Sequence, residues 1–144
     1  IKSKRSTIYL DNGNGSKVFY NNDYAISGKP DRLKQISEGV VDLYEFKSRA
    51  KHVYRSDEVQ AVCAAIAVSS VYRVRRIIIE LKSGKKKIIN CSSVEEMYSW
   101  IAEYHEIAKQ IRSHPTAKTR AEPKPSKCFA CGFRNCCIHS LAKH

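Results

Sequence analysis

The chain has 144 residues, 42% of them hydrophobic, and its 26 Lys and Arg against 14 Asp and Glu give a net charge of +12. This length allows one domain, or one domain with a small appendage, and the hydrophobic content is sufficient for a buried core. The charge favours a polyanionic partner such as nucleic acid. No run reaches the ~18 apolar residues of a membrane helix, and no signal peptide is visible, so we expect no membrane contact. Four of the six cysteines are crowded into 128–137, which is not the spacing of a disulfide framework, so we expect a reducing, cytoplasmic location.

The first residues predict short strands joined by turns. The chain begins with Ile1 rather than Met, and we expect that residues upstream of it are missing. Ser6–Leu10 is a predicted strand, and the Asn-Gly pairs that follow it favour a turn. Lys17–Tyr20 is predicted as the returning strand. A bend marked by Gly28 and Pro30 then presents an acid, Asp31.

A strand is predicted at Val40–Lys47, after a hairpin connection at Lys34–Gly39. Because side chains alternate between the faces of a strand, Glu45 and Lys47 share one face. If the segment before this strand pairs with it, Asp31 approaches Glu45. Two carboxylates suit Mg²⁺ or Mn²⁺, and a lysine beside them can orient or help to deprotonate an attacking water.

A basic loop and a helix follow this strand. Arg49, Lys51 and Arg55 lie in the loop, which is either a contact for a DNA backbone or an ordinary solvated segment. Ser56 is the predicted N-cap of the helix, which an apolar stripe carries to about Val71.

Two more strands and a second helix are predicted before the C-terminal region. The strands are Tyr72–Leu81 and Lys86–Asn90, and the helix is capped by Ser92 or Ser93 and ends before His114. The polar segment 116–127 is predicted to be an extended linker. We therefore expect three parts: a core at 1–115, the linker, and a cysteine-rich segment at 128–144.

The cysteine-rich segment predicts a metal site. Cys128, Cys131, Cys136, Cys137 and His139 fall close together, which is the spacing of metal ligands and not of a distributed disulfide framework. A local zinc site formed by Cys128, Cys131, one of the two adjacent cysteines and His139 is one interpretation.

The spacing of Asp31, Glu45 and Lys47 resembles that of the PD-(D/E)XK nuclease superfamily. In that superfamily an Asp is followed, after a hairpin, by Glu-x-Lys, which is Glu45-x-Lys47 here. Gln60 at the start of the following helix and Cys128-x2-Cys131-x5-Cys137 are similar to the RecB-like branch and to CRISPR-associated RecB-like exonucleases. The resemblance implies an α/β (α+β) fold, with a mixed central sheet flanked by helices and a C-terminal cysteine metal knuckle.

The resemblance also implies roles for residues. Asp31 and Glu45, with the backbone carbonyl of Phe46, would bind Mg²⁺ or Mn²⁺, Lys47 would activate water, and Gln60 would contact substrate or water. Cys128, Cys131 and Cys137 would bind a 4Fe-4S cluster with a fourth thiolate from near the N-terminus, with Cys136 or His139 as alternates. In that family position 64 is usually aromatic, whereas Ala64 stands here.

The function expected from this resemblance is a metal-dependent DNA nuclease, an exonuclease on single-stranded or end-containing DNA. Helicase, integrase or other nucleic-acid-processing proteins are the expected partners. The alternative is a catalytically inactive, basic nucleic-acid-binding module with a zinc or iron–sulfur knuckle.

Overall fold

The computed structural model describes residues 6–11, 15–113, 124–130 and 141. The chain divides into two units, residues 1–101 and 102–144. The strands are β1 Ser6–Leu10, β2 Phe19–Asn21, β3 Ile26–Gly28, β4 Arg32–Ser37, β5 Val40–Lys47, β6 Arg73–Leu81 and β7 Lys86–Asn90. The helices are α1 Arg55–Val68, α2 Val94–Ser113 and α3 Pro125–Ala130.

A five-stranded mixed sheet forms the centre of the first unit, in the order β1-β4-β5-β6-β7. The β5–β6 pair is parallel, with α1 in the connection, and the other neighbouring strands are antiparallel. A parallel pair requires such a crossover, because two parallel strands cannot be joined by a tight turn. The predicted fold class, a mixed sheet with helices, is confirmed.

Two predicted details of the N-terminal half are wrong. Arg32–Ser37 is strand β4 and pairs with β5, so the connection predicted at Lys34–Gly39 shrinks to a turn that ends at Gly39, where φ is +69°. Leu33 is the single fully buried side chain of β4, and its neighbours in the chain are polar. The alternation of apolar and polar residues that indicates a strand is therefore weak. The strand expected to return against β1 pairs instead with β3.

Helix α1 lies between the large sheet and the β2–β3 hairpin, and it contacts both. A helix that is covered on several sides needs apolar residues around most of its circumference, and Ala61–Val68 provides them. The buried Asn21 Nδ2 donates a hydrogen bond to the Ile66 carbonyl oxygen at 3.0 Å, which ties the hairpin to the helix backbone. These contacts hold α1 in place between the sheet and the hairpin.

Gly28 and Ala64 make the close approach between β3 and α1. A Cβ atom at position 28 would lie 2.7 Å from the Ala64 Cα and 3.3 Å from its Cβ. No larger side chain fits at either position without moving the helix away from the hairpin. This close approach gives a physical reason for Ala64 at a position where the resembling family usually has an aromatic residue.

We expect Gly28→Ala to destabilise the protein by roughly 1–3 kcal/mol, the usual cost of an overpacked contact. The added methyl group meets helix backbone, which cannot rotate away as a flexible side chain would. Urea denaturation followed by circular dichroism measures the effect, with Ser27→Ala at the exposed neighbouring position as the control. Equal stability of the two variants would contradict the close packing.

Helix α2 begins at a serine cap, as predicted. The Ser93 hydroxyl oxygen accepts a hydrogen bond from the Glu96 backbone N–H at 3.1 Å, and Met97 and Ile101 are buried in the core. The described part of α2 runs to Ser113, and residues 114 and 115, before which its end was predicted, lie outside the described residues. No helix in the described part of the chain is long and apolar enough to cross a membrane.

The described C-terminal residues correct one further expectation. Pro125–Ala130 forms the short helix α3, so the end of the predicted extended linker is helical. Proline is well tolerated at the first helical position, since its missing N–H is not needed there. The predicted cysteine ligands beyond this helix, and the side chain of Cys128, lie outside the described residues. The three-part division of the chain stays a prediction.

The face of β5 turned away from α1 carries a buried ion cluster. Asp42, 1% exposed, accepts hydrogen bonds from Arg75 at 3.0 and 2.7 Å and from Arg76 at 3.0 Å. Further along the same face, Tyr44 and Phe46 stack with ring centroids 6.3 Å apart. This face therefore joins β5 to β6 by charge, whereas Val41 and Leu43 on the opposite face are buried in the apolar core.

Candidate active site

Two carboxylates meet where β4 begins and β5 ends. The Asp31 Oδ2 atom accepts a hydrogen bond from the Phe46 backbone N–H at 2.7 Å, which places Asp31 beside Glu45. Glu45 is 3% exposed, and its Oε1 atom has no hydrogen-bond partner among the described residues. The structure therefore brings these two acids together across the paired strands, as the sequence predicts.

Burial raises the pKa of Glu45 to about 8, and the negative charge of Asp31 adds to this rise more than the nearby Lys47 offsets it. Asp11 contributes further negative charge to the same pocket. Its backbone N–H donates to the Asp31 carbonyl oxygen at 2.9 Å, and its carboxylate lies 3.3 Å from Lys29 Nζ. The pocket thus concentrates negative charge in a buried place, an arrangement that favours a bound cation.

Lys47 lies next to this acidic pair on the same face of β5, as the strand alternation predicts. Its Nζ atom donates a hydrogen bond to Gln60 Oε1 at 2.7 Å and lies 3.8 Å from Asp57 Oδ1. Its side chain is 17% exposed, so solvent still reaches it. The structure therefore brings together all four residues predicted to act in catalysis: Asp31, Glu45, Lys47 and Gln60.

Asp57 is a site residue that the sequence analysis missed. It is 4% exposed, it accepts a hydrogen bond from Arg49, and its Oδ2 accepts the Tyr54 backbone N–H at 2.9 Å. Helix α1 begins at Arg55 with Tyr54 as N-cap, so the N-cap predicted at Ser56 is wrong. The missed signal was an acid three residues after the cap, the position from which a carboxylate reaches back to the cap N–H.

The basic loop after β5 is only partly available as a contact for a polyanion. Arg49 is committed to Asp57 and stacks over the Tyr54 ring at 4.9 Å. Arg55 pairs with an acid one turn along α1, at 3.5 Å. The Lys51 side chain is exposed, and its carbonyl oxygen accepts Lys85 Nζ at 3.5 Å. The proposed nucleic-acid contacts of this loop stay a prediction.

The residues present fit a divalent cation that keeps part of its water shell. In the described part of the chain, no group of three or more His, Cys, Asp or Glu side chains forms a ready-made metal site. Mg²⁺, however, is commonly held by one or two carboxylates, with waters and substrate phosphates as its other ligands. Asp31 and Glu45 supply those carboxylates, and the unpartnered buried Oε1 is the atom that a cation would satisfy.

Comparison with known proteins agrees with this geometry. The family model of the PD-(D/E)XK nuclease superfamily matches residues 5–138. That range includes every residue of the pocket and both strands that carry its acids. No curated protein matches the chain.

Proposed function

The chain belongs to the PD-(D/E)XK nuclease superfamily, and from this premise we propose that it is a divalent-metal-dependent deoxyribonuclease. The superfamily implies cleavage of phosphodiester bonds in nucleic acid. The observation that carries the proposal is the pairing of Asp31 with a buried Glu45 that has an unpartnered oxygen, immediately beside Lys47.

Asp31, Glu45 and the backbone carbonyl of Phe46 would hold Mg²⁺ or Mn²⁺. The bound metal would polarise the scissile phosphate and lower the pKa of a coordinated water. The same two acids explain why a cation is needed, because burial and mutual repulsion make the pair costly when both are charged. A third acid, Asp11, contributes charge at longer range and is not proposed as a ligand.

Lys47 would orient the attacking water and contact the phosphate. The hydrogen bond to Gln60 holds the ammonium group toward α1, and Asp57 adds a favourable charge at 3.8 Å. Gln60 would therefore position Lys47 and contact water. Attack on phosphorus with rupture of the P–O3′ bond leaves a 5′-phosphate and a 3′-hydroxyl.

The finer assignment is an exonuclease on single-stranded or end-containing DNA. The net charge of +12 supports a nucleic-acid substrate, since phosphate contacts and counterion release drive such binding. The RecB-like branch, a CRISPR-associated role and a helicase or integrase partner belong to the same proposal, and they rest on the sequence motifs alone.

A second metal site is proposed at the C-terminal cysteines. Cys128, Cys131 and Cys137 have the spacing of iron–sulfur ligands, with Cys136 or His139 as alternates, and zinc is the competing metal. Analysis of purified protein for iron with sulfide, or for zinc, distinguishes the two metals.

Glu45→Gln tests the proposed function. We expect cleavage of end-labelled single- and double-stranded DNA with Mg²⁺ or Mn²⁺ to fall by at least about 100-fold, because one metal ligand loses its charge. The rise in melting temperature that Mg²⁺ gives the wild type should also disappear, since a ligand stabilises only the state that binds it. The labelled products separate terminal from internal cleavage.

The matched control is Glu38→Gln, which removes the same charge from an exposed turn. It should retain both cleavage and the Mg²⁺-dependent rise in melting temperature. DNA binding by Glu45→Gln, measured in EDTA, should also be retained. Absence of metal-dependent cleavage by metal-loaded wild type would leave a nucleic-acid-binding module and sink the nuclease assignment.

A further inference from the structure

A cavity of about 500 Å³ lies between α1, β7 and α2, outside the acidic pocket. Its apolar wall includes Val62, Ile89 and Ile101, which are 1%, 8% and 1% exposed. Its polar rim carries Arg55 and Lys87. We call it the Trp100 cavity, after the indole that lines it and is 44% exposed. Its volume lies in the range of small-molecule sites, so it is large enough for one nucleobase.

The charges at the Trp100 cavity favour an anionic ligand. Glu58 forms ion pairs with both Arg55, at 3.5 Å, and Lys87. Two cations against one acid leave a net positive charge at the rim. The side chains of the two cations are 57% and 51% exposed, whereas that of Glu58 is 14% exposed. The acid thus holds two solvent-accessible cations beside an exposed aromatic ring, as sites for single-stranded nucleic acid do.

The strand register places this cavity close to the acidic pocket. Glu45 pairs with Ile79, and Ile79 pairs with Lys87, so all three lie in one row across the sheet. Neighbouring strands are about 4.8 Å apart, which puts Lys87 roughly 10 Å from Glu45 on the same face. Helix α1 contributes to both places, because Gln60 reaches Lys47 while Val59 lines the cavity.

We infer that the Trp100 cavity binds a base of single-stranded nucleic acid, from a nucleotide that flanks the scissile phosphate. The base stacks on the indole, and Arg55 and Lys87 contact the adjoining phosphates. The position of the bound nucleotide next to the scissile phosphate rests on the proposed nuclease function. Base binding itself does not require cleavage. Stacking tolerates every base, so the cavity adds affinity for single strands without sequence preference.

Trp100 is the single tryptophan of the chain, so its fluorescence reports on the cavity directly. The full chain is titrated in EDTA with oligo(dT) and with an abasic strand of equal length. We expect oligo(dT) to quench the emission and the abasic strand not to, while fluorescence anisotropy of labelled strands shows that both bind. Equal quenching by the two strands, or none by either, would overturn base binding.

Variants extend the test to affinity. Trp100→Ala should weaken oligo(dT) binding about tenfold with little effect on the abasic strand, and Trp100→Phe should restore most of the affinity. Lys87→Ala should reduce the slope of the logarithm of the binding constant against the logarithm of salt concentration. The reduction should correspond to the loss of about one phosphate contact. An emission change that follows protein concentration instead of oligonucleotide would assign the cavity to self-association and overturn the inference.

The outcomes keep this inference separate from the nuclease. Quenching by oligo(dT) in a protein that does not cleave DNA would support base binding and contradict the proposed function. Cleavage by the wild type with no change of oligo(dT) affinity in Trp100→Ala would overturn base binding and leave the nuclease standing.

Discussion

Lys47→Ala is expected to reduce the rate of metal-dependent DNA cleavage by about 10²- to 10⁴-fold, the usual contribution of a positioned proton-transfer group. Lys47 is the residue predicted to activate water, it lies beside the acidic pair, and its Nζ atom is held 2.7 Å from Gln60 Oε1. Single-turnover kinetics on end-labelled DNA measure the effect on chemistry apart from product release.

The same variant should leave folding nearly unchanged and should weaken DNA binding by no more than the loss of a single phosphate contact, far less than it lowers cleavage. The Lys47 side chain is 17% exposed and contacts Asp57 at 3.8 Å, so its removal costs a weak ion pair and one hydrogen bond. Lys82→Ala, in the exposed β6–β7 turn, removes an equal charge and serves as the control. A parallel loss of DNA binding and cleavage, or unchanged cleavage, would show that Lys47 does not act on the reacting water.

Lys47→Arg distinguishes two ways in which the lysine could act. Arginine keeps the positive charge but does not release its proton. Rescue of cleavage by arginine therefore indicates that the charge orients water and phosphate. Failure of rescue, together with a changed pH profile, indicates proton transfer. The hydrogen bond to Gln60 predicts that Gln60→Ala lowers cleavage less than Lys47→Ala does, because it only releases the lysine from one position.

Asp42→Asn should destabilise the protein by roughly 3 kcal/mol, at the low end of the usual cost of breaking a buried ion pair. The carboxylate is 1% exposed and binds both Arg75 and Arg76, whose side chains are 37% and 32% exposed. Both arginines are partly exposed and can be hydrated when the carboxylate is removed. Their unpaired positive charges therefore cost less free energy of folding than they would in the deep interior. Urea denaturation gives the difference in the free energy of unfolding.

The matched control is Glu80→Gln, on the same face of the sheet. Glu80 pairs with Lys86 at 4.0 Å, and their side chains are 29% and 51% exposed, so the loss of this pair should cost less than about 1 kcal/mol. A similar small effect for Asp42→Asn would mean that the buried cluster adds no more to stability than an exposed pair.

The pH dependence of stability should separate the Asp42 variant from the wild type. Burial opposes the charge of Asp42, but the hydrogen bonds and charges of Arg75 and Arg76 outweigh it and lower its pKa below the ordinary 3.8. A lowered pKa in the folded state adds stability that is fully present above pH 3.8 and is lost as the pH falls through the folded value. Asp42→Asn lacks this term, so its loss of stability in acid should be shallower.

Local pattern was sufficient for most of the elements. Strand β5 has the predicted bounds, and Glu45 and Lys47 share the predicted face, because side-chain alternation is a property of the strand itself. The β6–β7 hairpin and the serine cap of α2 also follow from neighbouring residues. Strand β4 was mistaken for a connection, since its one fully buried side chain gives too little alternation to read.

The residues of the candidate site were predicted from the sequence, together with the approach of Asp31 to Glu45. The pairing of β4 with β5 brings these two acids together. The buried Asp57 was missed because its role depends on where α1 begins, one residue before the predicted cap. Ion partners such as Arg75 for Asp42 are 33 residues apart and depend on strand register, which no local pattern encodes.

The sequence by itself determined the residue types of the chemistry: two acids, one lysine and one glutamine at spacings that a strand and a helix can bring together. Only the tertiary structure decided that Glu45 is buried with an unpartnered oxygen, and that Gly28 lies against Ala64 where an aromatic residue was expected. It also formed the Trp100 cavity from α1, β7 and α2. Burial and close approach arise between segments distant in the chain, so they follow from packing and not from local pattern.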